Sequence, residues 1–134
     1  MLNVDLDPEA GFLELTVDGA IDDLDYQAAV DAVNLLLTQH QQINVVEVVK
    51  TLGWVDPSVW FKDLYFHLTH RNFMRRAAIV SDKGWVGPLT SLIAPLYPTM
   101  IRSFTLAELD DARAWVRARD EAPSAGAAPP ADSA

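Results

Sequence analysis

Three side chains in the middle of the chain have the types and spacing of metal ligands. His67 and His70 are three residues apart, and Asp63 precedes His67 by four. On a helix these spacings bring side chains onto one face, and imidazole with carboxylate is a ligand set that zinc accepts. No further group of ligands follows along the chain, so a solvated polar face explains the pattern better. The sequence therefore predicts no metal site.

The sequence also gives no support for a catalytic nucleophile or for a nucleotide-binding site. Ser58, Ser81, Ser91 and Ser103 all lack the G-x-S-x-G turn that exposes the serine of a hydrolase. The chain has no cysteine to serve as a nucleophile or a thiolate ligand. The stretch Gly84-Trp85-Val86-Gly87-Pro88 has the wrong spacing for a phosphate-binding loop and places a proline where backbone donors are needed. We therefore expect a protein without enzymatic activity and without a cofactor.

Charge is distributed unevenly along the chain. The net charge is −9, and the first 49 residues contain ten acidic residues but no lysine or arginine. Residues 50–83 contain six basic residues against three acidic ones. An acidic protein of this kind is not expected to bind nucleic acid. The basic middle is either ordinary variation in surface charge or a surface for an anionic partner or lipid, with Arg71, Arg75 and Arg76 as the anion contacts.

The apolar pattern predicts an α/β domain. The chain is predicted to begin with a hairpin of strands at 2–6 and 12–17, of which the second ends at Gly19, and a helix from Asp22 or Asp23 to about Gln41 follows. Next come a strand at 43–49, a loop at Gly53-Trp54 and a helix from Asp56 to about Arg71. The remaining elements are a strand at 76–80, a helix at 86–94, a strand at 100–104 and a last helix that starts with a capping box of Thr105 and Glu108 and ends near Arg119. This order, ββαβαβαβα, predicts a mixed five-stranded sheet, parallel in its later part, with four helices packed on it.

The domain is expected to span residues 1–119. Residues 120–134 are rich in proline and alanine, have no apolar periodicity and are expected to be disordered. The charge-free stretch before Arg102 contains three prolines and falls short of the roughly 20 apolar residues of a membrane-spanning helix. The first residues lack the basic and apolar regions of a signal peptide. These features predict a cytoplasmic protein.

The predicted second helix is the most informative element for function. Its apolar side chains largely share one side of the helical projection, as a core-facing helix requires, but Val59 and Phe66 fall on the polar side. They are either ordinary exposed apolar residues or part of an apolar contact surface. The residues predicted to contact a ligand or a membrane are Trp54, Val59, Trp60, Phe66 and Trp85.

An ordered set of short motifs resembles the SpoIIAA-like family of the STAS superfamily. The motifs are Asp25-Tyr26, Trp60-x-x-Asp63-x-x-Phe66-x-x-x-His70, Ala77-Ala78-Ile79-Val80-Ser81-Asp82 followed by Trp85, Arg102-Ser103-Phe104 and Ala114-Trp115. The resemblance spans residues 1–119. It implies a mixed sheet covered by helices, no known enzymatic activity, and a role proposed for the family in binding apolar ligands and in membrane association. At the level of fold it extends to CRAL-TRIO lipid carriers.

One departure concerns the phosphorylation switch of SpoIIAA-type antagonists, whose serine lies in an Asp-Ser-x-Gly stretch. Here the corresponding residues are Asp56-Pro57-Ser58-Val59, so the motif is missing and Ser58 is not expected to be phosphorylated. The preferred function is the binding of an apolar or lipid-like ligand, with reversible contact of the second helix with the inner membrane face. The alternative is a protein-interaction module of the anti-sigma-factor-antagonist type. A homodimer is left open.

Overall fold

Five strands and three α-helices make up the part of the chain that the structure, a computed structural model, describes: residues 1–55, 63, 73–96 and 99–118. The elements are β1 (Leu2–Asp7), β2 (Phe12–Ile21), α1 (Asp23–Leu37), β3 (Ile43–Val55), β4 (Met74–Val80), α2 (Val86–Ile93), β5 (Met100–Phe104) and α3 (Leu109–Arg117). Short 3₁₀ turns at Ala94–Leu96 and Leu106–Glu108 follow α2 and precede α3.

The described residues therefore contain three α-helices where the sequence predicts four. The predicted second helix, residues 56–71, lies outside the described residues except for Asp63, which is helical. The predicted tail, residues 120–134, also lies outside them, so its disorder stays a prediction. The other three predicted helices correspond to α1, α2 and α3.

The strands form one sheet whose spatial order is the same as the chain order, β1-β2-β3-β4-β5. β1 is antiparallel to β2, whereas the pairs β2–β3, β3–β4 and β4–β5 are parallel. The predicted mixed sheet, parallel in its later part, is confirmed. Parallel neighbours need crossover connections, and α1 and α2 lie in the connections that lead to β3 and β5. Right-handed crossovers that advance in one direction place both helices on the same face of the sheet.

The two faces of the sheet are covered by different helices. On the α3 face, α3 packs on a buried cluster that consists of Phe12, Val46, Val48, Ala78, Val80, Phe104, Ala112 and Val116. On the opposite α1–α2 face, α1 packs on a cluster that consists of Leu13, Ala32, Val33, Leu36, Ile43, Val45 and Phe73. Because successive side chains of a strand point to opposite faces, chain neighbours such as Val45 and Val46 belong to different clusters.

Helix caps fix two of the helix starts as predicted. Asp22 is the N-cap of α1: its carboxylate accepts a hydrogen bond from the Asp25 backbone N–H at 2.8 Å, and the Asp25 carboxylate accepts one from the Asp22 N–H at 3.2 Å. Thr105 and Glu108 form the second capping box, which begins the 3₁₀ turn that leads into α3. Each box satisfies backbone donors that have no partner inside the helix.

The second and third strands are longer than predicted. β2 continues through Gly19 to Ile21, and β3 continues through Gly53 and Trp54, so the predicted Gly53-Trp54 loop and the predicted end at Gly19 are wrong. Register shifts between β2 and β3 absorb Gly19, whose φ is 91°. At Gly53 a Cβ atom would lie 3.2 Å from the Ala20 nitrogen, so glycine permits the strands to approach here.

Helix α1 ends at Leu37 rather than near Gln41. The Thr38 hydroxyl donates to the Leu35 carbonyl oxygen at 2.6 Å and so satisfies an end group of the helix. Two residues later, the His40 ring contacts the Pro8 carbonyl oxygen through Nε2 at 2.7 Å. The chain must leave the helix axis to make this contact with the β1–β2 turn.

Candidate functional site: an apolar cavity on the α1–α2 face

A cavity of about 430 Å³ lies on the α1–α2 face, between the sheet and the two helices. Most of the described residues that line it are apolar. They include Leu15, Val17, Val49 and Ile79 from the strands, Val30 from α1 and Leu89 from α2. Two of the lining residues, Ala29 on α1 and Ala77 on β4, have small side chains.

The exposed members of this lining show where the cavity opens. Leu52, Trp85 and Leu89 are 38%, 48% and 43% exposed, whereas Val33 and Val45 at the other end are buried. Leu52 lies near the carboxyl end of β3, and Trp85 follows the carboxyl end of β4. The opening is thus at the edge of the sheet where α/β proteins bind their ligands.

Glu47 places a carboxylate in the middle of this apolar wall. It lies on the central strand β3, between Val45 and Val49 on the same face, and its Cα partners are Leu15 on β2 and Ile79 on β4. Glu47 is half-buried. It is the one polar side chain that the strands contribute to the described lining of the cavity.

Tyr26 and Asp63 form a polar pair at the cavity wall. The Tyr26 hydroxyl donates a hydrogen bond to Asp63 Oδ1 at 3.3 Å, across 37 positions of the chain. Burial of the hydroxyl, with the negative charge of Asp63 and the hydrogen bond to it, raises the pKa of Tyr26 above its usual range. The pair connects α1 to Asp63, which lies between β3 and β4 in the chain.

Comparison with protein families matches residues 12–117 to the SpoIIAA-like family. The chain belongs to the SpoIIAA-like family. The resemblance of its motifs to this family is confirmed, and the matched region includes every element of the fold except β1.

A solved structure has the same fold. It is the crystal structure of an uncharacterised protein with a SpoIIAA-like fold from Shewanella loihica PV-4, with a TM-score of 0.68 and 16% sequence identity over 87% of this chain and 92% of that one. No curated protein matches the chain. None of the helices in the described ranges is long and apolar enough to cross a bilayer.

The structure brings three of the SpoIIAA-like motifs together at the cavity. Tyr26 comes from the first motif and Asp63 from the second, and Trp85 lies at the opening. Trp54, 71% exposed, is not among the described residues that line the cavity. The predicted contact residues Val59, Trp60 and Phe66, together with Arg71, Ser58, His67 and His70, lie outside the described residues.

The predicted anion contacts Arg75 and Arg76 have intramolecular partners at the carboxyl end of α3. Arg75 Nη2 donates to the carbonyl oxygens of Val116 at 2.9 Å and Ala118 at 2.5 Å. Arg76 Nη1 donates to the Trp115 carbonyl oxygen at 2.7 Å, and its guanidinium lies 5.0 Å from the centre of the Trp115 ring. Both arginines therefore hold α3 on the sheet, and anion contact by either stays a prediction.

The remaining SpoIIAA-like motifs also serve the α3 face. The Arg102 guanidinium lies 5.0 Å from the Phe104 ring and 6.0 Å from the Trp115 ring, and these two rings are 5.9 Å apart. Arg113 makes a bidentate contact with Glu14, with both N–O distances at 2.8 Å. The hydrogen bond to Glu14 raises the pKa of Arg113. These motifs attach a helix rather than form a site.

Glu47 is one of the site residues that the sequence predictions missed. It is the lone charge in the run of β-branched residues Ile43–Val49, and a buried parallel strand is normally apolar along its whole length. That interruption is the signal that could have identified it. The cavity itself depends on how far α1 and α2 stand apart, which no local pattern encodes.

Proposed function

We propose that this protein is a non-enzymatic binding module that takes up an apolar small molecule in the cavity on the α1–α2 face. The observation that supports the proposal is a cavity of about 430 Å³ whose described lining is mostly aliphatic. Ligand sites are typically apolar clefts of about 300–1,000 Å³ with a few polar groups. Glu47, Tyr26, Asp63 and Thr90 are such polar groups here.

Filling the cavity from α1 tests this proposal. Ala29 lines the cavity, so Ala29→Phe should occupy part of its volume and weaken binding of the apolar dye N-phenylnaphthylamine at least about tenfold, because the dye loses buried apolar area. The measurement is a titration of dye fluorescence, which rises in apolar surroundings.

Ala28→Phe is the matched control. Ala28 is the preceding residue on α1, is exposed and is not among the described lining residues. The same phenylalanine at this position should leave dye affinity unchanged. Equal effects of the two variants would place the dye elsewhere, and no binding by the unmodified protein would overturn the proposal.

Membrane contact through residues 56–71 is the second part of the proposed function. These residues lie outside the described ones, so the support is the amphipathic sequence pattern alone. Co-sedimentation with anionic liposomes at low salt is expected for the unmodified protein and should weaken in Phe66→Ser. It should also fall as salt rises, because exposed charges are screened over about 8 Å at physiological ionic strength. If the unmodified protein stays in the supernatant at low salt, the proposed membrane contact is contradicted.

An interaction module is the second candidate, and the exposed apolar surface of α2 favours it. Leu92 and Leu89 are 72% and 43% exposed on this short helix, and exposed apolar groups of this size are typical of contact surfaces. If the partner is a second copy of the chain, sedimentation velocity should show a dimer that Leu92→Ser dissociates. A monomer at all concentrations would exclude self-association through α2.

A further inference from the structure

The sheet has an edge strand at each end, β1 and β5. Within the described part of the chain, each of these strands pairs with a single neighbour, β2 or β4. On the outer side of an edge strand, the N–H and C=O groups of alternate residues point away from the sheet. Such an edge can accept an extended segment of another chain as an additional strand.

Charge distinguishes the two edges. Because the strand order follows the chain order, the uneven distribution of charge along the sequence becomes a difference between the two ends of the sheet. β1 carries Asp5 and Asp7, and β1, β2 and α1 contain no lysine or arginine. β5 contains Arg102 and no acidic residue. The β1 edge therefore attracts a basic segment, whereas the β5 edge repels one.

Asp5 lies opposite another acidic residue. Its Cα partner on β2 is Glu14, so the two side chains are on the same face of the sheet. Arg113 binds Glu14, and Arg117 lies 3.6 Å from Asp7, whereas Asp5 is exposed and has no ion pair with a described residue. Like charges directly opposite each other destabilise a sheet. A cation placed beside Asp5 on the outer side of β1 would offset this repulsion.

The other face of β1 is apolar. Leu2, Val4 and Leu6 alternate with the polar positions of the strand and are half-buried, and Val4 and Leu6 pack on the cluster under α1. Residues of an added strand share the face of the residues that they pair with. Apolar side chains between the basic ones would therefore extend the cover of Val4 and Leu6.

From these observations we propose that β1 binds an extended segment of another protein, in which lysine or arginine alternates with apolar residues, as an additional strand of the sheet. Main-chain hydrogen bonds supply the affinity, and the alternating side chains supply the specificity. The basic side chains of the segment face Asp5 and Asp7, and its apolar side chains lie beside Val4 and Leu6. This partner site does not depend on what the cavity binds.

Three peptides of equal length test the proposal by fluorescence anisotropy at physiological ionic strength. The first alternates lysine with valine. The second is the same peptide with methyl groups on two adjacent backbone nitrogens, which removes a donor on each side of the strand, and the third has glutamate in place of lysine. The first should bind at least about tenfold more tightly than the second, and the third should not bind. Equal binding of the two lysine peptides would assign the attraction to the net charge of −9 and overturn the proposal.

Asp5→Lys tests whether the lysine–valine peptide binds at β1. This variant should weaken binding at least about tenfold without loss of stability, because a lysine opposite Glu14 replaces a pair of like charges by a pair of opposite charges. Asp111→Lys makes the same change of charge at an exposed position of α3 and should weaken binding much less. Equal losses in the two variants would overturn the proposal. An oligomer that Asp5→Lys dissociates would show that a second copy occupies the edge, and would also overturn it.

Hydrogen exchange of the backbone amides identifies the edge that gains a strand. Saturating lysine–valine peptide should slow the exchange of alternate amides in Leu2–Asp7 and leave those of Met100–Phe104 unchanged, because the peptide adds hydrogen bonds at one edge alone. Slower exchange in Met100–Phe104 instead, or no change at either edge, would overturn the proposal.

Discussion

The two faces of the sheet are built from the same strands but differ in what the described residues form on them. On the α3 face, one helix packs on a buried cluster and Glu14 contacts Arg113 of that helix. On the α1–α2 face, described residues of the sheet, α1 and α2 line a cavity of about 430 Å³, and Glu47 is one of them. Glu14 and Glu47 are on neighbouring strands, yet one contacts a helix and the other lines the cavity.

One face of the sheet is packed along α3, whereas the other combines a packed cluster under α1 with a cavity. A closely packed face resists change, and it can hold the strands in register beside the cavity. Leu15, Glu47 and Ile79 on the cavity wall are held in place by strand pairing.

Removing the arginines that hold α3 should have the largest effect on stability. Arg75→Ala combined with Arg76→Ala should lower the free energy of unfolding by about 3 kcal/mol, because charged donors to three carbonyl groups are lost. Urea denaturation followed by circular dichroism measures the change. Lys50→Ala with Lys83→Ala removes the same charge from exposed positions and should have little effect. If the arginine variant is as stable as this control, the two arginines do not hold α3 on the sheet, and the prediction that they contact an anion is favoured.

The neighbours Val48 and Val49 allow the two faces to be compared with one chemical change. Val48→Ala leaves a hole in the α3-face core and should cost about 2 kcal/mol. Val49→Ala enlarges a cavity that already exists and should cost less than about 1 kcal/mol. Chemical denaturation of both variants gives the two values. Equal costs would mean that the α1–α2 face is packed as closely as the other.

Loss of the Glu14–Arg113 contact should destabilise the fold without affecting the cavity. Glu14 is only 12% exposed in its side chain, so Glu14→Gln should lower stability by about 1 kcal/mol. Dye binding should be unchanged, because Glu14 faces α3. A loss of dye affinity at temperatures where this variant is fully folded would show that the two faces are coupled.

The smallest effect is expected at alkaline pH and depends on Tyr26. Its pKa is raised in the folded state, so the folded protein retains a proton that the unfolded chain releases from about pH 10 upward. Stability from this group is fully present below that pH and declines as the pH rises towards the folded pKa. In Tyr26→Phe the free energy of unfolding should fall less between pH 9 and pH 11 than in the unmodified protein, as measured by urea denaturation. An equal fall in the unmodified protein and in Tyr26→Phe would contradict the assignment of this pH dependence to Tyr26.

The sequence predicted the fold well because its signals are local. Alternating residues indicated β1 and the β-branched run indicated β3. An acidic cap at Asp22 or Asp23 indicated the start of α1, and the capping box of Thr105 and Glu108 indicated the turn before α3. The predicted strand end at Gly19 and the predicted loop at Gly53 were wrong, because glycine usually indicates a break in a strand. In this structure each glycine accommodates a register shift or a close approach of strands instead.

The site was predicted less well because it depends on distant residues. Trp85 was selected for its type and does line the cavity, whereas Glu47 and Tyr26 were not among the predicted contacts. Arg75 and Arg76 were selected for their charge, but both donate to main-chain carbonyls about forty residues further along the chain, and Arg75 also donates to the Asn44 side chain. No spacing rule within a single element identifies such pairs.

The strand order has a consequence for how the chain reaches this fold. Each strand pairs with its neighbour in the chain, so the strand pairings close shorter loops than pairings between distant strands would. The contact of Arg113 with Glu14 is different, because it closes a loop of 99 residues. During synthesis the strands are available before α3, and the apolar α3 face is exposed until that helix emerges. We expect the last helix to end the period in which the nascent chain is prone to aggregate.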